Sequence, residues 1–492
     1  MSGLENVLDP RDAMYVNLKE RPNIEDLTMV WSEDSGNSRN ESTEIEVLKW
    51  LQPHQSLKKL EIAFYGGSKF PHWIGDPSFS KMVCLELTDC KNCTSLPALG
   101  GLPFLKDLVI EGMNQVKSIE WNNWLIPKLG HEETQTLFPC LRELTIRRCP
   151  KLINLPHELP SLVVFLVEEC QELEMSIPQL PLLTKLKLSC LWERLAQRLM
   201  VLEDLAITEC DELACLRKPG FGLENLGGLR RLWINGCDGV VSLEEQGLPY
   251  NLQYLEVNGC SNLEKLPNAL HTLTSLAYMI IDNCPKLVSF PETVVPLSTW
   301  KLKIVHLLLA FRKGATCHLK NLIIENCEKL ESLPEGIDNN NTCRLEKLHQ
   351  LESIPGNMLQ NLTSLQFLHI SNCPDVVSSP EAFLNPNLKQ LCISNYGNMR
   401  WPLSGWGLRT LTSLDELVIN GPFPDLLSFS CSHLLLPTSL TSLGLVNLHN
   451  LKSVTSMGLR SLMSLKSLNS TVALSSGLLC QRKGYHQHLQ DL

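Results

Sequence analysis

The sequence predicts an α/β solenoid, in which one short strand per repeat joins a single parallel β-sheet and loops or short helices return the chain behind it. Three observations carry that expectation. The stretch from Leu252 to Pro267, LQYLEVNGCSNLEKLP, places apolar residues at Leu252, Leu255, Val257, Cys260, Leu263 and Leu266. Copies of it recur along nearly the whole chain, mostly at steps of about 19 to 27 residues. A cysteine occupies the same slot in many of the copies. Alternation at L-x-L makes a strand whose apolar side chains point one way and whose intervening residues point the other. Such a unit cannot bury its leucines alone, so each must stack on the next.

The spacing L-x-x-L-x-L-x-x-N/C-x-L is that of a leucine-rich repeat. The expected architecture is a horseshoe, with the parallel sheet on its concave face and loops and short helices on its convex face. A period sustained over most of 492 residues argues for one elongated array rather than several globular domains. Residues 1–56 read as an N-terminal flank with a degenerate first repeat and a polar insertion. Residues 57–468 form the solenoid, and 469–492 read as a disordered tail.

Taken in order, the first anchor is Ile24-Glu-Asp-Leu27-Thr-Met29. Trp31 to Thr43 is polar, lacks periodicity and reads as a surface loop. Helical spacing returns at Ile45, Leu48 and Leu51. The next repeat is Leu57-x-x-Leu60-x-Ile62, closed by Phe70-Pro71-His72-Trp73-Ile74. Later anchors are Met82, Leu105, Leu141, Leu162, Leu183, Leu202, Leu229, Leu252, Leu276, Leu319, Leu365, Leu388, Leu414, Leu440 and Leu465. Two places break the pattern. Between Leu276 and Leu319, Thr299-x-x-Leu302-x-Ile304 reads as an eroded repeat. At Leu345-x-x-Leu348 the second half of a strand and its cysteine read as missing, which predicts a local weak point over Leu345–Ile354. At the end, Leu465 and Leu468 start a repeat in which Ser470 takes the next apolar slot.

The cysteine slot holds Cys90, Cys149, Cys170, Cys210, Cys237, Cys260, Cys284, Cys327 and Cys373. A small, weakly polar side chain at the bend fills the interior while its thiol meets turn backbone. A cysteine repeated once per turn offers neither a lowered pKa nor converging ligands, so these residues read as free and structural. Cys90 and Cys93 form a lone C-x-x-C, and His486-x-His488 is a weak metal signal. No phosphate loop, dinucleotide fingerprint, H-E-x-x-H or nucleophile elbow occurs. No catalytic, cofactor-binding or metal-binding residue is therefore expected, and the chain reads as a non-enzyme.

A net charge of −10 gives no basic face for nucleic acid or anionic lipid. The first residues lack a secretory apolar run, and no stretch reaches the length of a membrane span. The expectation is a cytoplasmic protein that neither inserts in a membrane nor binds nucleic acid.

What remains is the concave wall. Its outward candidates are Arg142, Glu143, Arg147 and Arg148, then Arg230, Arg231 and Trp233, then Tyr254, Tyr278, Phe367 and His369. Exposed aromatics and arginines on a rigid sheet are the residue types that dominate protein–protein hot spots. The same residues also serve as strand formers that lean on the adjacent strand.

Several segments resemble the repeat region of plant intracellular nucleotide-binding leucine-rich-repeat disease-resistance proteins of the coiled-coil subclass. They are Glu5-Asn6-Val7, Asp12-Ala13, Asn17-Leu18-Lys19, Val47-Leu48, Leu51-Gln52-Pro53-His54, Phe70-Pro71-x-Trp73-Ile74 and the recurring L-x-I-x-x-C-x-x-L-x-x-L-P. The resemblance covers nearly everything up to about residue 468. It implies a protein partner, either a pathogen effector or a host protein altered by one, and in a complete receptor a neighbouring nucleotide-binding domain. The coiled coil and the nucleotide-binding module have no counterpart in this sequence, so no nucleotide-binding residues carry over. A receptor fragment without a retained partner and a substrate-adaptor repeat protein are the alternative readings.

Overall fold

A computed structural model describes residues 1–33, 40–119, 138–156, 158–173, 180–189, 199, 201–210, 223, 226–243, 248–266, 270, 272–288, 299–303, 321–325, 327, 342–346, 365–373, 384–395, 403, 407–423, 426, 428–429, 436–449, 451, 453–454 and 462–470. The fold is a parallel-strand leucine-rich-repeat solenoid. Its contacts divide into two compact units: Met1–Val240 with Gln246–Leu252, and Val241–Glu245 with Gln253–Leu492.

In the first unit the strands are β1 (Asp26–Val30), β2 (Lys59–Ala63), β3 (Cys84–Thr88), β4 (Asp107–Glu111), β5 (Glu143–Arg147), β6 (Val164–Glu168), β7 (Lys185–Ser189), β8 (Asp204–Thr208) and β9 (Arg231–Asn235). Each pairs in parallel with the next, without a slip in register. The reason is the leucine column. The second and fourth residues of every strand, such as Leu85 and Leu87 or Leu144 and Ile146, are buried, and a one-residue slip would turn them all outward.

The N-terminal flank is built rather than loose. Asp9 caps helix α1 (Pro10–Val16) by accepting the Arg11 N–H at 2.9 Å, and Pro10 starts it with φ already set. Asn40 caps α2 (Glu41–Trp50), accepting from Ser42 at 3.0 Å and Thr43 at 3.3 Å. Two bonds fasten α2 to the following repeats. The Trp73 indole donates to the Leu48 carbonyl at 3.2 Å, and the Gly66 N–H donates to the buried Glu44 carboxylate at 2.6 Å. The Phe-Pro-x-Trp-Ile segment is therefore the docking point of this helix.

Two sequence expectations change here. Glu41 to Thr43 belong to the first turn of α2 rather than to a surface loop. Trp31 is buried, edge-on to Tyr65 with ring centroids 5.2 Å apart, because it directly follows β1 and the chain is still inside the sheet's core. The rest of the expected insertion, residues 34–39, lies outside the described residues.

The second unit contains β10 (Tyr254–Asn258), β11 (Tyr278–Asp282), β12 (Thr299–Lys303), β13 (Asn321–Glu325), β14 (Thr342–Glu346), β15 (Phe367–Ser371), β16 (Gln390–Ser394) and β17 (Glu416–Asn420). After the short β18 (Ser428–Phe429) come β19 (Ser442–Val446), a short β20 (Ser453–Val454) and β21 (Ser467–Ser470). The long strands pair in parallel in this order, while β18 pairs only with β20.

The strand register of both irregular repeats differs from the expectation. In β12, Trp300 and Leu302 stand in register with Met279 and Ile281, two residues earlier than the reading that made Leu302 and Ile304 the inward pair. In β14, Leu345 is not an anchor. It is the fourth residue of a complete strand, in register with Ile324 and Ile370, and the fully buried Cys343 fills the second slot. Residues 347–364, which include most of the expected weak point Leu345–Ile354, lie outside the described residues, as do 471–492 with His486 and His488.

Candidate interaction face

The five-residue strands whose burial is described alternate outward and inward residues, so their first, third and fifth positions form rows on the outward face. On this face the sequence-predicted residues fall into separate groups. Glu143 and Arg147 are the first and fifth residues of β5, with Arg142 exposed just before the strand and Arg148 just after it. Arg231 and Trp233 are the first and third residues of β9, and Arg230 is exposed immediately before it. With neighbouring strands about 4.8 Å apart, the four steps from β5 to β9 separate these groups by roughly 19 Å.

In the second unit Tyr254 and Tyr278 stand in register on β10 and β11, their ring centroids 6.2 Å apart and their planes inclined by 35°. Phe367 and His369 lie on β15, with β12, β13 and β14 between them and Tyr278. The expected row of aromatics is thus a tyrosine pair and a distant phenylalanine.

Three of the predicted arginines are held by carboxylates of other repeats. Arg147 Nε lies 2.8 Å from Glu168, which also holds Lys187 at 2.6 Å. Arg148 reaches Asp89 at 3.1 Å and Glu111 at 2.8 Å. Arg231 grips Asp204 with two bonds, Nε at 2.6 Å and Nη2 at 2.8 Å. Hydrogen bonds to Glu111 and to Asp204 raise the pKa of Arg148 and Arg231 respectively, and Lys59 is raised in the same way by Glu86 at 2.6 Å. These cations lace strand to strand and present less free charge than a count of arginines suggests.

Sequence reasoning missed the partners Asp89, Glu111, Glu168 and Asp204. A signal for two of them was present. Asp204 precedes Arg231 and Glu168 follows Arg147 in the identical slot of an adjacent repeat.

The cysteine slot sits behind this face. The thiols of Cys149 and Cys237 donate to the carbonyl two residues back, at 3.2 and 3.4 Å, and approach the preceding repeat's strand at Ile110 and Ile207. Burial pushes Cys90 and Cys343 up to about 12. Cys93 is also raised by burial, and its thiol donates to the Gly67 carbonyl at 3.1 Å. Thiols held neutral in this way are packing elements; Cys170 departs from the expectation, its pKa lowered by a hydrogen bond with the neighbouring Cys149 thiol. Among the described residues no group of three or more His, Cys, Asp or Glu is arranged to hold a metal ion, and no helix is long and apolar enough to cross a membrane.

Comparison with known proteins is consistent with this geometry. Residues 1–113 match the family model for R13L1/DRL21 leucine-rich repeats. The disease resistance RPP13-like protein 1 of Arabidopsis thaliana is 32% identical over 324 residues, covering 57% of this chain and 28% of the relative. Disease resistance protein RGA2 of Solanum bulbocastanum is 31% identical over 273 residues, covering 55% of this chain and 24% of its own length. The chain thus spans about a quarter of the length of these relatives. It is a leucine-rich-repeat protein whose repeats are similar to those of plant disease-resistance proteins.

Proposed function

We propose that this chain is a non-catalytic, cytoplasmic protein-interaction module of plant defence, which recognises a pathogen effector or a modified host protein through its outward strand face. In a longer protein the same array would also contact a nucleotide-binding neighbour. The observation that carries the reading is the tyrosine pair at 254 and 278, with Tyr278 47% exposed on a sheet whose leucines are fully engaged beneath it. Aromatics presented on a rigid scaffold lose little conformational entropy on binding. Similarity to disease-resistance repeats supplies the biological setting.

The test is biosensor binding of the intact chain to a panel of purified effectors and host proteins. Tyr254→Ala, Tyr278→Ala or Trp233→Ala is expected to weaken binding of the partner at least about fivefold, a loss of about 1 kcal/mol, with the circular dichroism unchanged. Unchanged affinity in all three variants would remove the strand face from the reading. Charge reversal at Arg147 or Arg148 is a poorer probe, because it sets new negative charge beside Glu168, Asp89 and Glu111.

A further inference from the structure

We propose that the corner formed by Tyr254, Glu256 and Tyr278 receives a basic side chain, arginine or lysine, of the protein partner. This rests on the reading of the outward strand face as the recognition surface and assigns a chemistry to one part of it.

Tyr254 and Glu256 are two residues apart on β10 and therefore share a face. The Tyr254 phenol donates to Glu256 Oε2 at 2.6 Å, which lays the ring along its own strand. Tyr278 stands beside it in register, half exposed, and Ile280 stands beside Glu256. One carboxylate is thus flanked by two aromatic rings and one aliphatic side chain.

Several carboxylates on the first unit's strands provide the contrast, although others there, such as Glu61 beside the Thr28 hydroxyl, also lack a cation among the described residues. Glu86 already holds Lys59, Glu168 holds Arg147 and Lys187, and Asp204 holds Arg231. Among the described residues, Glu256 has no cation within ion-pair distance, and its bonded partner is a neutral phenol.

Charge and surface decide the occupant. An acidic partner would face Glu256 directly. A purely apolar one would strip water from the carboxylate and offer no donor in return, which is costly. A guanidinium or ammonium meets the carboxylate with N–H donors and the tyrosine faces with positive charge, while its methylene stem covers the aliphatic floor.

The experiment uses the intact chain over sensor surfaces densely coated with capped peptides that differ at one central position. That position carries arginine, lysine, citrulline or norleucine between leucines. The arginine and lysine surfaces are expected to retain at least threefold more protein than the citrulline and norleucine surfaces. Glu256→Gln and Tyr278→Ala should each remove that preference. Glu416→Gln, on another strand of the same unit, should leave it intact, which controls for nonspecific attraction of basic peptides to an acidic protein. Tyr254→Phe keeps the ring while freeing Glu256, and should bind the arginine surface at least as well as the parent; this variant keeps the test decisive if an alanine variant fails to fold.

Equal retention on arginine and citrulline surfaces overturns the proposal, and so does an equal loss from Glu416→Gln. If the tyrosine variants weaken every peptide alike, the basic-side-chain assignment fails while the strand face stands as a binding surface. If no variant alters binding of any peptide or of any panel protein, both readings fail together.

Discussion

Left-handed backbone recurs immediately before the cysteine slot: Asp89, Arg148, Glu169, Glu209, Asn283 and Asn372 all have φ between 50° and 53°. The cause is a hydrogen bond. The N–H of this residue turns to the carbonyl that ends the next repeat's strand, as from Arg148 to Glu168 at 3.0 Å and from Glu209 to Asn235 at 2.8 Å. A residue with a Cβ accepts this conformation at a cost of about 1–2 kcal/mol, which the repeated ladder offsets. Gly421 occupies the same place with φ at 100°, and a Cβ there would lie 1.7 Å from the Asn395 carbonyl oxygen. Gly421→Ala is therefore expected to cost at least about 2 kcal/mol, from strain and steric overlap together. Hydrogen exchange at β17 and β19 measures this, and unchanged protection there would contradict it. The sequence marks Arg148 only as an outward arginine; its backbone role and its two carboxylates become visible only with the turn in place.

Among the elements, α2 shows most clearly how a segment is held by chemistry at both ends. Its apolar content is modest: Val47 and Leu48 are its buried aliphatic residues. Capping and docking bonds therefore matter. Asn40→Ala is expected to destabilise the helix by about 1 kcal/mol, read as faster amide exchange over residues 41–50 with β4 unaffected. Trp73→Phe keeps most of the buried area but leaves the Leu48 carbonyl without its donor, at a further cost of about 1–3 kcal/mol. A denaturation midpoint equal to the parent's would show that water replaces the indole. The helix itself was legible in the spacing of Ile45, Leu48 and Leu51. Its start was not, because the polar run before it matches a loop as well as a first turn until Asn40 is seen to cap it.

Across the whole molecule, stability in such an array is a sum over neighbouring repeats. An interior strand has two partners, whereas β21 has only β19 among the described residues, and it sets Ser470 opposite Leu445. Amide exchange is expected to be fastest at β21 and slowest in strands such as β4 and β16, and mass-spectrometric exchange would reveal a different order. The buried thiols make a second prediction. Cys284 is pushed up to about 11, and Cys90 and Cys343 up to about 12, with burial the largest cause in each. Unfolded thiols ionise near pH 8.5. Below that pH both states are neutral and the fold keeps its full stability. As pH climbs toward 11 and 12 the unfolded chain gains thiolates that the fold refuses, so stability falls. Urea midpoints measured between pH 8 and 10 should decrease steadily, and replacing Cys90 and Cys343 with alanine should flatten the slope.

The fold was determined by the sequence itself, because a leucine column with one strand per period has only one arrangement that buries every copy. The slot that the cysteines fill was equally plain, since each copy repeats the same local environment. The condition of β12 and β14 was decided by tertiary structure. Trp300 and Cys343 are poor matches to a leucine pattern, yet the strands on either side impose register on them through the backbone ladder. The character of the outward face was decided the same way. Arg148 meets Asp89 across 59 residues and Arg231 meets Asp204 across 27, so which charges are spent within the sheet is a property of stacked repeats. The tyrosines at 254 and 278 were visible as single letters, and only strand pairing placed them side by side, with Glu256 within reach of the Tyr254 phenol.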